Sequence, residues 1–157
     1  GEIGRGFQQQ MSQFQDERMI ASYQMVGAME YALERTADYL KQRMAFGKPL
    51  LANQHLAYEL ADLASEVDLL KYYNYNAAVA QTNGEDITRF ATVAKLRSAR
   101  LARKVADICL QFHGGIGYME ETWTARFFRD TRLWSIGGGA DEVMLRTLAR
   151  VDGYWVD

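Results

Sequence analysis

The sequence has one cysteine, one proline and no long apolar run, and each shortage excludes a class of protein. With Cys109 alone, internal disulfides are impossible, which fits a reducing compartment, and we expect this thiol to be inert filler on an apolar helical face. No stretch of about 18 apolar residues occurs, so we predict no transmembrane helix. The 18 basic and 20 acidic residues nearly balance, which does not favour a nucleic-acid-binding protein.

Good helix formers fill the segments between glycines, and signals for β-hairpins are scarce. Apolar residues recur at helical spacing, which predicts helices over residues 8–45, 53–82, 86–113, 120–134 and 140–151. Three long helices with short connections must pack as antiparallel neighbours. The sequence therefore predicts an all-α fold, an up-down four-helix-type bundle with an additional short C-terminal helix.

The opening GEIGRGF has the glycine content of a linker, and we expect the sequence to be part of a longer protein. Residues 1–7 are predicted to be that linker, and residues 8–157 the bundle domain. Gly27 stands alone inside a helical pattern, where we expect it to allow close packing.

Charged and metal-binding residue types give no strong functional signal. His55 and His113 have no further ligands in a recognisable metal motif, so we predict no metal site. The third predicted helix carries six cations, which we expect to form a solvated face that can also meet a phosphate. These cations are Arg89, Lys95, Arg97, Arg100, Arg103 and Lys104.

Two glycine-rich segments demand an explanation, because glycine loses much backbone entropy on folding. They are QFHGGIGY at 111–118 and SIGGGADE at 135–142. The first could be a helix stop, or a loop pressed against a flat or phosphate-bearing ligand, and the second raises the question of which group approaches its bare backbone. Arg43, close to Phe46 in the bend before Pro49, is either a partner of the helix dipole or a clamp for pyrophosphate.

Four segments, in order, resemble the motifs of the acyl-CoA dehydrogenases. They are GEIGRGF, RMAFGKPLLANQ, ICLQFHGGIGYMEE and RDTRLWSIGGGADE, and they span nearly the whole chain. The resemblance covers only the C-terminal helical domain of that family. The N-terminal helical domain and the middle β-domain have no counterpart in this sequence.

The resemblance implies FAD-dependent α,β-dehydrogenation of an acyl-CoA thioester. In this chemistry a base removes the α-proton while the β-hydrogen leaves as hydride to flavin N5. In much of the family the base is a glutamate at the position of Gly138, which has no side chain. The isovaleryl-CoA and long-chain branches carry it on the first helix instead, and the matching residue here is Glu17. Gly138 would still offer its backbone N–H to the thioester oxygen.

The resemblance also implies residues that contact cofactor and substrate. Ala140 replaces the usual threonine or serine, and Gln15 replaces a frequent aspartate, so two contacts differ from the family pattern. Arg43 and Gln54 are expected to meet the flavin of a neighbouring subunit. The implied flavin contacts are Arg43, Phe46, Gln54, Gln111, Gly114, Gly115, Ala140 and Glu142, and the implied substrate contacts are Gln15, Asp16, Arg18 and Gly139.

The family usually passes its electrons to an electron-transferring flavoprotein and forms homo-oligomers, so both partners and a dimer or tetramer are implied. Either bacterial cytoplasm or the mitochondrial matrix is expected, and the chain alone is expected to be inactive. Acyl length and branching stay open. Two other functions also stay open: a flavin-dependent monooxygenase of the same fold and a non-catalytic helical assembly module.

Overall fold

The computed structural model describes residues 1–155 and confirms the all-α prediction. Residues 156–157, the end of the predicted domain, lie outside the described residues. The connection between the first two helices holds two short antiparallel strands, β1 and β2, and a 3-10 turn at Leu50–Ala52. The elements are α1 Gly6–Gln42, β1 Met44–Ala45, β2 Lys48–Pro49, α2 Gln54–Thr82, α3 Thr88–His113, α4 Gly115–Tyr118, α5 Trp123–Leu133 and α6 Asp141–Val151.

The three long helices alternate in direction, as predicted. Two hydrogen bonds between α1 and α2 show that these helices are antiparallel. Asp16 near the start of α1 pairs with Gln81 near the end of α2 at 2.6 Å, and Glu30, later in α1, pairs with Lys71, earlier in α2, at 2.6 Å. Buried Ser22 of α1 donates to the carboxamide of Asn74 on α2 at 3.0 Å. This polar contact fixes the register of α1 and α2 at mid-height.

The fourth position of the bundle is shared by two helices placed end to end. Both α5 and α6 run antiparallel to α3, and together they follow it from its C-terminal end towards its N-terminal end. The glycine-rich segment between them therefore lies part of the way along the bundle. Four contacts trace this path: His113–Trp123, Arg103–Ser135, Arg100–Asp141 and Arg89–Asp152.

The predicted helix ends agree with the structure to within about three residues. The sequence did not predict β1, β2 or α4. Gly114 has φ +65°, which stops α3, and the chain then makes a single helical turn before Met119. Of the two interpretations of this glycine pair, the structure confirms the helix stop, and the short helix after it was not anticipated.

The core lies among α1, α2 and α3. Leu63, Met29 and Leu40 are fully buried at its centre. Cys109 is also fully buried there, and burial raises the pKa of its thiol to about 11. The thiol is therefore protonated at neutral pH and packs as a small apolar side chain, as predicted.

Gly27 does not have the packing role expected of it. The residue is exposed on α1, and a Cβ added there would meet no atom within 4 Å. The expectation was wrong because a glycine inside a helix can face solvent as readily as a neighbouring helix.

Replacing Gly27 with alanine is expected to raise the free energy of unfolding by about 1 kcal/mol, since alanine is the better helix former. Thermal unfolding followed by circular dichroism measures the change, with Ala28→Gly as the reverse substitution on the same helix. A lower midpoint for Gly27→Ala would mean that a second chain packs against this position.

Candidate active site

The segment from Ser135 to Ala140, the triglycine turn, joins α5 to α6. It begins where the N–H groups of Ile136 and Gly137 both donate to the carbonyl of Leu133 at 2.8 Å. Gly138 has φ +67° and Gly139 has φ +119°, values that residues with side chains rarely adopt. The turn therefore requires glycine for its backbone shape.

Two cations from different helices hold consecutive carbonyls of this turn. Arg18 of α1 donates from Nε to the carbonyl oxygen of Gly138 at 3.2 Å. Lys95 of α3 donates from Nζ to the carbonyl oxygen of Gly139. Within residues 1–155, the N–H groups of Gly138 and Gly139 donate to no protein acceptor. The turn thus offers free donors while its carbonyls are occupied.

A cleft of about 310 Å³ opens beside the turn. Glu17 of α1 and Gly138 both line it, although they are distant in sequence. The carboxylate of Glu17 accepts a hydrogen bond from Gln13 at 3.1 Å and is exposed in this chain. The cleft's lining is completed by residues that are mostly apolar, namely Phe14, Arg18, Ile20, Ala21, Gln24, Lys95, Trp134 and Gly137.

The side chain of Lys95 was expected in solvent and is instead 2% exposed. Burial lowers the pKa of its ammonium, as does the nearby Arg18, while the carboxylate of Asp141 opposes this shift. Burial also lowers the pKa of Arg18, against the effect of Glu17. Two partly desolvated cations therefore flank the turn.

Lys95 and Asp141 are functional candidates that the sequence interpretation missed. A signal existed for Lys95, because it shares a helical stripe with Ala91 and Ser98, which are both buried. Asp141 is buried, and one of its oxygens accepts from Arg100 at 3.1 Å. No local pattern marks that carboxylate, since the acidic first turn of a helix is common on its own.

The structure separates the predicted substrate residues. Arg18 and Gly139 lie at the triglycine turn, and Gln15 accepts a hydrogen bond from Arg18 at 3.2 Å. The carboxylate of Asp16 instead accepts a hydrogen bond from the side-chain amide of Gln81 on α2 at 2.6 Å. The structure therefore does not bring Asp16 into the cleft that Glu17 lines.

Six of the eight predicted flavin residues lie at one end of the bundle. The α1–α2 connection and the end of α3 meet there because the rings of Tyr39 and His113 stack at 4.2 Å between centroids. The six are Arg43, Phe46, Gln54, Gln111, Gly114 and Gly115, and all are exposed.

The chemistry of this end suits a dinucleotide. Arg43 carries a cation that can pair with a pyrophosphate, Gln54 and Gln111 carry amides, and Gly114 leaves its backbone bare. The ring of Phe46 is fully exposed at φ +51°, a conformation unusual for a bulky residue. An exposed aromatic held in this way is suited to cover a planar ligand.

Ala140 and Glu142 belong to a different place. Ala140 is the last residue of the triglycine turn and precedes α6, and Glu142 lies in the first turn of α6. The length of α3 between Lys95 and Gln111 puts this place roughly 24 Å from the other group, at 1.5 Å per residue. The structure therefore divides the predicted flavin residues into two groups that one chain holds apart.

The described part of the chain also bears on two other kinds of site, metal centres and membrane spans. Among residues 1–155, no three histidine, cysteine or carboxylate side chains come together as a possible metal site. None of the helices in the same range has the length and hydropathy needed to cross a bilayer.

Residues 4–151 match the family described as acyl-CoA dehydrogenase, C-terminal domain. The chain is 39% identical to the probable acyl-CoA dehydrogenase YdiO of Escherichia coli K12 over 96% of its own length and 39% of YdiO. It is 32% identical to subunit CarC of the caffeyl-CoA reductase–Etf complex of Acetobacterium woodii, covering 91% of this chain and 38% of CarC.

Among solved structures, butyryl-CoA dehydrogenase from Megasphaera elsdenii matches with a TM-score of 0.92 and 34% identity, over 96% of this chain and 39% of that one. The chain thus spans about two fifths of the length of the relatives it matches. Because the family match covers nearly the whole sequence, the chain belongs to the acyl-CoA dehydrogenase family and corresponds to the C-terminal domain of its members.

Proposed function

We propose that this chain is the C-terminal domain of an FAD-dependent enzyme that introduces an α,β double bond into an acyl-CoA thioester. The observation that carries the proposal is the cleft shared by Glu17 and the triglycine turn. A carboxylate and a residue with an unpartnered backbone N–H then line one space, which suits the removal of a proton next to a thioester.

Glu17 is the proposed base. Its carboxylate takes the proton from the α-carbon, and the electron pair of that C–H bond forms the new double bond. When bound, FAD supplies the acceptor for the β-hydrogen and its electron pair. Glu17 is exposed in this chain, so the enclosure that would make it a stronger base belongs to the rest of the enzyme.

Gly138 is the proposed donor to the thioester oxygen. Its N–H has no protein partner within residues 1–155, and Gly138 lines the same cleft as Glu17. As the α-proton leaves, negative charge develops on the thioester oxygen, and a fixed N–H stabilises that charge more than it stabilises the ground state. The bare turn also leaves room for a base that arrives from α1.

Moving the carboxylate tests this arrangement. The double variant Glu17→Gly, Gly138→Glu is expected to recover measurable turnover that Glu17→Gly alone lacks. A Cβ at Gly138 meets only the Cε of Lys95 at 3.9 Å, although φ +67° costs a non-glycine residue about 1–2 kcal/mol. Complete silence of the double variant, with FAD still bound, would contradict the shared cleft as the reacting space.

The apolar walls of the cleft are proposed to hold the acyl chain. Phe14, Ile20 and Trp134 line it, while Arg18 stands near the turn. The resemblance to the isovaleryl-CoA and long-chain branches, which also carry the base on the first helix, favours their type of substrate. The proposed substrates are therefore branched or long acyl groups.

FAD would be held by the exposed group at the end of the bundle, with Arg43 towards pyrophosphate and Phe46 against a planar ring. Ala140 and Glu142, in the second group, would meet another flavin. Because the two groups lie far apart, each chain would serve two cofactors, which requires at least a dimer. We accordingly include a homodimer or homotetramer in the proposal.

An electron-transferring flavoprotein is the proposed electron acceptor. The relative CarC is named as a subunit of a reductase–Etf complex, which supports this choice. Residues 1–7 are proposed to link the bundle to a preceding β-domain. The bacterial cytoplasm or the mitochondrial matrix remains the proposed location.

The complete enzyme, mixed with a panel of acyl-CoA thioesters in the absence of oxygen, tests the function. We expect at least one thioester to bleach the flavin absorbance when it is added in an amount close to that of the enzyme-bound flavin. Turnover that depends on reduced flavin and oxygen would indicate the monooxygenase instead. A complete enzyme that contains no flavin would leave only an assembly module.

A further inference from the structure

We propose that Lys95 is a positioning residue, whose ammonium fixes the triglycine turn beside Gly138, the cleft-lining residue with an unpartnered N–H. This inference rests on the proposed function, because it assigns Lys95 a part in holding the donor for the thioester oxygen. Lys95 acts through the turn and takes no proton from substrate.

The first observation is the place of Lys95 in the core. Its side chain is 2% exposed, and its neighbours along α3, Ala94 and Leu96, are buried as well. Nζ nevertheless reaches the carbonyl oxygen of Gly139, and Cε lies 3.9 Å from the position of a Cβ on Gly138. The long side chain thus ends against the turn.

The second observation is the glycine content of the turn. Side chains ordinarily restrict backbone angles, and three consecutive glycines remove that restriction. A peptide plane in such a segment can rotate and exchange the directions of its carbonyl and N–H. Only contacts from outside the segment oppose this rotation.

Arg18 and Lys95 supply those outside contacts to adjacent peptide planes. All the described peptide bonds are trans, so each carbonyl points opposite to the N–H of the next residue. Holding the carbonyl of Gly138 fixes the plane that carries the N–H of Gly139, and holding the carbonyl of Gly139 fixes the plane that carries the N–H of Ala140. Together the two contacts fix the backbone angles of Gly139, the residue directly after the proposed donor Gly138. Arg18 alone would leave the second plane free to rotate.

The third observation is the electrostatic cost of the arrangement. Burying an ammonium is unfavourable, and a methionine would occupy a similar volume without this cost. The carboxylate of Asp141, itself buried and paired with Arg100, partly offsets the cost. A cation kept at this position is therefore accounted for by its contact with the turn.

The test compares Lys95→Met with the wild-type complete enzyme. We expect kcat to fall about 100-fold, the scale of losing one fixed oxyanion donor, while KM changes less than about threefold. Hydrogen–deuterium exchange followed by mass spectrometry should be faster in the peptide that covers residues 136–140. The exchange measurement needs no substrate.

Two other variants complete the design. Lys71→Met removes another lysine that bridges helices, to Glu30 at 2.6 Å and away from the cleft, and should change neither measurement. Lys95→Gln keeps an N–H donor without the charge. Its kcat and its exchange rate in residues 136–140 should lie between those of Lys95→Met and the wild-type enzyme. If Lys95→Met fails to fold, Lys95→Gln still gives the comparison.

Unchanged kcat together with unchanged exchange in the turn would overturn the proposal. A rise in KM with kcat preserved would also overturn it, since Lys95 would then contribute to substrate binding. If the wild-type enzyme oxidises no acyl-CoA, the proposed function fails. The exchange measurement still decides in that case whether Lys95 holds the turn.

Discussion

Substitution of Glu17 by glutamine is expected to slow flavin reduction by acyl-CoA about 100- to 10,000-fold. Positioned general bases contribute roughly 10²–10⁴-fold to such reactions, and the change leaves no carboxylate on this part of the cleft. Glutamine has nearly the same shape, so the cleft and the hydrogen bond from Gln13 can persist. Anaerobic stopped-flow absorbance on the complete enzyme measures the rate in a single turnover.

Glu34→Gln is the matched control, because Glu34 is an exposed glutamate further along the same helix. It should leave the rate unchanged. The dissociation constant of a non-reducing acyl-CoA analogue should change little in Glu17→Gln, since the carboxylate acts on the proton and not on binding. A rate for Glu17→Gln within tenfold of wild type would show that another group is the base.

Replacing Gly117 with alanine is expected to lower the free energy of unfolding by at least about 1–3 kcal/mol, the range for overpacked cores. A Cβ at this buried glycine would lie 2.7 Å from both the carbonyl oxygen of Leu110 and the Cβ of His113. Neither atom belongs to a flexible side-chain end. The chain must then shift α4 away from α3 and weaken the bond from Thr124 to the Gly117 carbonyl, 2.8 Å long.

Gly115→Ala supplies the comparison within the same short helix, because a Cβ there meets nothing within 4 Å. Thermal unfolding of both variants by differential scanning calorimetry measures the difference. The midpoint of Gly117→Ala should fall by roughly 2–4 °C for each kcal/mol, while Gly115→Ala should stay near wild type. Equal shifts in the two variants would refute close packing at Gly117 as the cause.

Helical periodicity was enough to predict the long helices, because each presents a continuous apolar stripe to the core. It failed at Lys95, where hydropathy assigns a lysine to solvent whatever its neighbours are. It failed differently at α4, because a helix of one turn has no period to detect. The end-to-end placement of α5 and α6 depends on contacts with α3, which no local pattern contains.

The prediction of the site residues depended on the resemblance to a family and not on the spacing of residues in the sequence. Glu17 alone is one of many helical glutamates, and Gly138 alone is one of three adjacent glycines. Nothing in either segment indicates that they share a cleft, because the contact joins distant parts of the chain. The roles of Arg18 and Lys95 in holding the turn required the side-chain contacts themselves.

The interruption between α5 and α6 separates two tasks that a single glutamate on the turn would combine. The proposed base stands on α1, while the proposed donor, Gly138, stands on the segment between α5 and α6 that lines the same cleft. A substitution at Glu17 can therefore remove the proposed base while the backbone N–H of Gly138 stays in place, whereas a substitution at Arg18 would act on the turn itself.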